Sequence, residues 1–193
     1  GSGLHGGGGW RGWNADPAFD AFVTDLYSLS SPNSVEIVGT ADIVHSFNGY
    51  DSGVWQFVAW QYIPTDFTGE SYFIMLNTYE INGNQNWSVQ VHFVNGQVLA
   101  DPNGETLPWI TGQWVELKLI IDLDMDTQIF MYDGQVLYEM SWSDGVSGGG
   151  VTNIAAVDLF ANNASALYYD DMSLQGVVAT DAKSWGEIKS IFR

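Results

Sequence analysis

Cysteine is absent from the 193 residues, which excludes disulfide staples, thiolate nucleophiles and cysteine-based zinc sites together. Positive charge is nearly missing as well: Lys and Arg number 5 against 23 Asp and Glu, a formal charge of -18. Such a surface repels a phosphate backbone at long range, which argues against nucleic acid and against an anionic membrane as partners. Charged residues make up only 15% of the chain, below the roughly 25% of ordinary soluble domains. The imbalance therefore reflects scarce lysine more than surplus acid, and the solvated surface must lean on Asn, Gln, Ser, Thr and Gly. No run approaches the roughly 18 unbroken apolar residues of a membrane span. No basic-then-apolar leader opens the chain, so a mature or trimmed form is expected.

What is present is apolar and aromatic, 46% and 15% of the residues, enough at this length to fill one core. From Ser34 to Gln175 short β-branched and aromatic runs are cut by turn signals. Alternation is clearest where Val89, Val91 and Phe93 face away from Ser88, Gln90 and His92. The pattern predicts strands over 34–38, 42–47, 54–63, 71–80, 86–94, 97–100, 114–123, 127–132, 135–142, 154–161 and 167–175. Asn95-Gly96 and Asp133-Gly134 stand between apolar runs and suit the positive-φ positions of tight type I′ hairpins. Strands at this spacing without helical periodicity between them indicate an all-β, two-sheet antiparallel sandwich or jelly roll.

The ends differ from the middle. Residues 1–9 are a glycine-rich segment that buries little and is costly to order, so it either packs on its own domain or contacts a neighbouring copy. Residues 10–178 form the sandwich domain, and 179–193 a basic amphipathic tail. In that tail Ser184 and Glu187 have capping-box spacing, and Trp185, Ile188, Ile191 and Phe192 fall near one helical face. A short C-terminal helix is predicted, with Trp185, Ile188, Lys189, Phe192 and Arg193 as candidate assembly residues. The alternatives are docking on the chain's own body, binding another molecule's acidic surface, and a sorting role.

Three stretches carry a resemblance: Gly112-Gln-Trp-Val-Glu-Leu-Lys-Leu-Ile-Ile-Asp122, Thr127-Gln-Ile-Phe-Met-Tyr-Asp-Gly134 and Leu167-Tyr-Tyr-Asp-Asp-Met-Ser-Leu174. Together they resemble the concanavalin A-like, laminin G-like jelly rolls, in which a Gly-x-Trp opens a long strand and a Tyr-Asp-Asp strand closes the sandwich. Gly9-Trp-Arg-Gly-Trp-Asn-Ala-Asp-Pro17 and Ser30-Ser-Pro-Asn-Ser-Val35 are similar to secreted bacterial domains of that superfamily. The resemblance implies an extracellular or cell-surface location and a buried tryptophan at Trp114. It also implies a structural calcium between the closing strand and the N-terminal segment, held by Asp171 and a backbone carbonyl. The other reading of Asp171 is a hydrogen-bonded buried aspartate. Asp170 and Asp171 are neighbours on a strand, so alternation turns only one of them toward a shared site.

Catalysis finds little support in the residues. The Glu-x-Asp-x-x-Glu strand of the superfamily's hydrolases is absent, and the glutamates are scattered. Gly145-Val-Ser-Gly-Gly149 matches a nucleophile elbow but has no helix after it, so it reads as a loop. His5, His45 and His92 have no acid partner nearby in sequence. Asp122-Leu-Asp-Met-Asp126 imitates a calcium loop, yet Thr127 stands where glycine is needed, so an acidic hairpin turn is expected.

Nine Trp and nine Tyr in one domain invite a sugar-binding reading, because a pyranose stacks on a ring while flanking amides bond its hydroxyls. Phe57, Phe73, Phe93, Phe130 and Phe160 occupy strand centres and are expected in the core. Trp55, Trp60, Tyr62, Trp87 and Trp142 are flanked by polar residues and are the candidate ligand platform. Asn86-Trp-Ser88 and Asn163-Ala-Ser165 fit the glycosylation pattern and add slightly to a secreted reading. The expectation is a secreted, non-catalytic module that binds a polysaccharide, glycan or other surface polymer. The alternative is a structural subunit of an extracellular filament or surface assembly, a homo-oligomer joined through its termini, with an unpaired sheet edge open to a neighbour's strand.

Overall fold

The computed structural model describes residues 1–177; the tail candidates Trp185, Ile188, Lys189, Phe192 and Arg193 lie outside the described residues. The strands, numbered in chain order, are β1 Ser2–Gly3, β2 Trp10–Gly12, β3 Phe22–Thr24, β4 Ser34–Gly39, β5 Asp42–Ser46, β6 Val54–Tyr62, β7 Glu70–Tyr79 and β8 Gln85–Val94. There follow β9 Gln97–Ala100, β10 Thr106–Pro108, β11 Trp114–Asp122, β12 Thr127–Tyr132, β13 Gln135–Ser141, β14 Ala156–Asn162 and β15 Ala164–Gly176. They make two antiparallel sheets, an eight-stranded one in the order β1-β3-β4-β15-β6-β11-β12-β13 and a seven-stranded one in the order β10-β9-β8-β7-β14-β5-β2.

The predicted hairpins form as expected. Asn95 and Gly96 have φ of 52° and 83°, and Asp133 and Gly134 have 48° and 71°; both turns therefore match the right-handed twist of the strands they join. The acidic stretch from Asp122 is a turn whose carboxylate caps its own backbone, with Asp122 Oδ1 accepting from the N–H groups of Asp124 and Met125 at 3.1 and 2.9 Å.

Four short strands, β1, β2, β3 and β10, escape the sequence pattern. Each runs only two or three residues, so period-2 alternation has no length in which to show, and only the pairing partner specifies them. One of these pairings, together with an aspartate cap, holds the glycine-rich N-terminal segment on its own sandwich. Ser2 and Gly3 pair with Val23 and Phe22, and Asp20 Oδ1 accepts from the backbone N–H of Leu4 and His5 at 3.0 and 2.6 Å.

The core lies between the inner faces. Phe57, Phe73, Phe93 and Phe130 fill it with Ile37, Leu117, Leu159 and Tyr169, each large side chain contributing about 1.5–3 kcal/mol by leaving water. Trp142 belongs to this core. It is fully buried and its Nε1 donates to the Asn153 carbonyl at 2.8 Å. The loop after it folds against β7 and β8 so closely that a Cβ on Gly145 would lie 2.2 Å from the Ser88 carbonyl oxygen. That contact, and not a catalytic elbow, accounts for the glycine.

Candidate functional site

The outer face of the seven-stranded sheet is where side chains depart from the solvated pattern expected of an antiparallel sandwich. Register lines up three cross-strand rows there. One row runs Leu99, His92, Tyr72, Phe160, Asp42. The next runs Gln90, Ile74, Asp158, Val44, Arg11. The third holds Trp87, Leu76, Ala156 and Ser46. Val44, Ile74, Leu76 and Ala156 form a hydrophobic cluster separate from the main core, with Trp13, Tyr72, Tyr79, Trp87 and Phe160 packed against it.

Trp13 reaches this face from a short 3-10 turn after β2. Asn14 fixes the turn: its φ is 53°, its N–H donates to the Tyr79 hydroxyl at 3.2 Å, and its Oδ1 accepts from Asn82 N and Gln85 Nε2 at 2.9 and 3.0 Å. Asparagine tolerates the left-handed conformation that this requires. Trp13 then stacks near Trp87, with centroids 6.1 Å apart and planes 27° from parallel.

The first row is a ladder of stacked rings. Tyr72 lies 4.1 Å from His92 at 13° and 5.4 Å from Phe160 at 21°. His92, which has no acid partner nearby in sequence, has two acids close in space: its Nε2 is 3.6 Å from Glu70 and its Nδ1 3.8 Å from Asp101, both beyond hydrogen-bond distance. Both acids are distant in sequence and arrive through β7 and the turn after β9. Gln90 is held too, its Nε2 donating to Asp101 Oδ2 at 2.6 Å. Burial, then the charges of Glu70 and Asp101, push the Tyr72 phenol up to about 12, so this tyrosine stays protonated and acts as a donor.

Asp42 and Asp158 meet across β5 and β14 beneath Trp13. Asp158 is 3% exposed, and the Oδ1 atoms of both carboxyls are buried without a hydrogen-bond partner. Burial pushes Asp42 up to about 6, against a smaller lowering effect of the neighbouring Asp158 carboxyl. Burial, then the charge of Asp42, holds Asp158 well above the usual carboxylate range. Two like charges in one dry site cannot both ionise, so the pair keeps a proton between them.

No protein-family model and no curated protein sequence matches the chain. Solved structures do match it. A cellulose induced protein, Cip1, is 14% identical with a TM-score of 0.56, covering 81% of this chain and 85% of that one. A family 7 alginate lyase in complex with substrate is 9% identical with a TM-score of 0.58, covering 84% and 85%. A glycosyl hydrolase-like protein of Parabacteroides distasonis is 11% identical with a TM-score of 0.57, covering 88% and 89%. The fold is a concanavalin A-like sandwich.

Within this concanavalin A-like sandwich the five candidate platform residues do not come together. Trp87 alone sits on the outer face of the seven-stranded sheet. Trp60 and Tyr62 lie on the outer face of the other sheet, where Tyr62 stacks on Tyr27 at 4.4 Å and contacts Trp114 at 5.6 Å. Trp55 packs edge-on against Tyr50 at 4.6 Å beside the core. Trp142 is excluded from any platform by its complete burial. Trp114 and Phe160, expected in the core, are half-buried and face outward, because each occupies the outward phase of its strand.

The reading of Asp170 and Asp171 also needs correction. Strand alternation should separate them, yet Ser30 Oγ lies 2.6 Å from Asp171 Oδ1 and 3.5 Å from Asp170 Oδ1. A bulge after Asp170 and a φ of 44° at Asp171 undo the alternation. Asp170 Oδ2 accepts from the N–H groups of Leu29 and Ser30 at 2.8 and 3.1 Å. The chain opposite these acids thus presents donors, whereas a calcium ion needs a shell of acceptor oxygens. Asp171 is exposed, not buried, and the residues as placed do not fit calcium. Among the described residues no group of three or more His, Asp or Glu side chains is placed to hold a metal ion.

Sequence reasoning passed over Asp42, Asp158, Tyr72, Gln90 and Trp13. A usable signal existed for Asp158, a lone carboxylate inside Ala155-Ala-Val-Asp-Leu-Phe160, since a charge in an apolar strand centre is either paired or functional.

Proposed function

We propose that the chain is an extracellular carbohydrate-binding sandwich that recognises a polysaccharide on the outer face of its seven-stranded sheet. The observation that carries this reading is the alignment of partly buried rings with hydrogen-bonding groups on one face. Trp13, Trp87, Tyr72 and Phe160 stand around Gln90, His92 and the Asp42–Asp158 pair. Rings offer faces and edges to sugar C–H groups while the polar atoms between them fix the hydroxyls. Fold neighbours that are named for cellulose induction and alginate cleavage support a carbohydrate role for this scaffold. Glycan-array screening of the chain, repeated with Trp87→Ala and with Trp60→Ala, tests the proposal. Binding lost in the first variant and retained in the second supports this face; the reverse result moves the site to the Tyr62 platform.

A second reading, cleavage of the polysaccharide, is favoured by one arrangement. His92 lies between Glu70 and Asp101 with Tyr72 stacked upon it, a setting in which an imidazole moves protons. New reducing ends appearing in a polysaccharide digest, and disappearing with His92→Ala, would establish it.

A further inference from the structure

We propose that the recess over Asp42 and Asp158 receives the protonated amine of a 2-amino sugar, so that the face prefers a glucosamine-type polymer to its neutral counterpart. The inference rests on the carbohydrate reading above and specifies its substrate class. The recess, about 270 Å³, is lined by Trp13, Asp42, Trp87, Gln90, Asp158 and Phe160 together with Ile74.

The two acids of that lining lack partners. Among the described residues no backbone N–H and no neighbouring side chain donates to either carboxyl, and the Oδ1 atoms of both are buried without a hydrogen-bond partner. A buried acid pair without donors is unfavourable by itself, and a cation placed over it supplies what the fold omits. Gln90 does not supply it. One N–H of its Nε2 is given to Asp101, and among the described residues no hydrogen bond joins the amide to either carboxyl. The two carboxyls therefore meet the recess with buried acceptor oxygens that no protein donor serves. The walls are rings, and a desolvated ammonium is stabilised by aromatic faces as well as by carboxylate.

The wider field agrees. A chain of formal charge -18 concentrates cations near its surface, whereas an acidic polysaccharide would bring its carboxylates against Glu70, Asp101 and Asp42. Arg11 lies in the same row beyond Val44, and among the described residues it forms no ion pair with either acid.

Calorimetric titration of the full chain at neutral pH with a glucosamine tetramer and with its N-acetylated equivalent tests the proposal. The charged oligomer is expected to bind at least tenfold tighter, and Asp42→Asn to remove that preference while Asp51→Asn, an exposed acid elsewhere, changes affinity less than twofold. Should Asp42→Asn fail to fold by circular dichroism, Trp13→Ala replaces it with the same expected loss. Equal affinity for the two oligomers overturns the amine assignment and leaves carbohydrate binding intact. An equal effect of Asp51→Asn shows attraction by net charge alone and overturns it too, as does a lysine tetrapeptide binding as tightly through Asp42. Binding of neither sugar overturns the carbohydrate reading as well.

Discussion

Tyr72 and His92 stack face to face across β7 and β8, 4.1 Å apart and 13° from parallel, with Phe160 continuing the ladder on the far side of Tyr72. The stack covers one face of an imidazole that lies between Glu70 and Asp101, so the two rings should be coupled energetically. A double-mutant cycle with Tyr72→Ala and His92→Ala, read by chemical denaturation, is expected to give an interaction of about 0.5–1.5 kcal/mol. Additive effects of the two substitutions would show that the stack does not contribute.

The Asp42–Asp158 pair sets a pH dependence of opposite sign to the usual acid. An aspartate of the unfolded chain titrates near 3.8 and Asp42 in the fold at about 6, so between these values the native state binds the extra proton. This contribution is complete below about pH 4 and is lost as pH climbs through about 6, by at most roughly 3 kcal/mol. Asp158→Asn supplies a permanent donor to Asp42 and removes the shared proton. The variant is expected to melt about 2–4 °C higher than the parent at neutral pH, the shift that about 1 kcal/mol produces at this chain length, with a flatter profile on the acid side. A lower melting temperature at neutral pH would contradict the assignment.

The legible part of the sequence was what repeats locally. Val89, Val91 and Phe93 against Gln90 and His92 fix the faces of β8, and Asn95-Gly96 fixes the turn to β9, so the bounds of these two strands follow within a residue; Ser88, expected on the outer face, is buried, because the register shifts opposite Val89 and Trp87 break the alternation. The site was illegible for the converse reason. Asp42 meets Asp158 only because β5 pairs with β14, and His92 finds Glu70 and Asp101 only through β7 and the turn after β9. Nothing in the spacing along the chain encodes those pairings. Ring exposure fails similarly, because Trp114 and Trp142 both follow polar or turn residues and only their strand phase and the covering loop distinguish them.

Trp142 and Trp87 should therefore respond differently to truncation. Trp142 is fully buried and its Nε1 serves the Asn153 carbonyl, so Trp142→Ala is expected to cost about 3–5 kcal/mol of stability. Trp87 is half-buried on the outer face, and Trp87→Ala should cost clearly less while removing glycan binding. Urea unfolding of the two variants checks the ranking, and a larger stability loss at Trp87 would show that it is a structural residue of the sheet.

The Asp170–Asp171 bulge yields the last expectation. Ser30 donates its hydroxyl to Asp171 Oδ1 at 2.6 Å and its N–H to Asp170 Oδ2 at 3.1 Å, so the segment before β4 is tied to β15 by hydrogen bonds to charged acceptors. For a calcium ion to take this place, those donors would have to turn away and six or so oxygens gather instead, which the facing backbone N–H groups of Leu29 and Ser30 oppose. The melting temperature is accordingly expected to be the same in millimolar calcium and in chelator, because a ligand that binds only the native state would raise it with the logarithm of its concentration. Ser30→Ala should lower stability by about 1 kcal/mol in either buffer. A calcium-dependent rise in melting temperature that Asp171→Asn abolishes would replace the hydrogen-bonded bulge with a metal site.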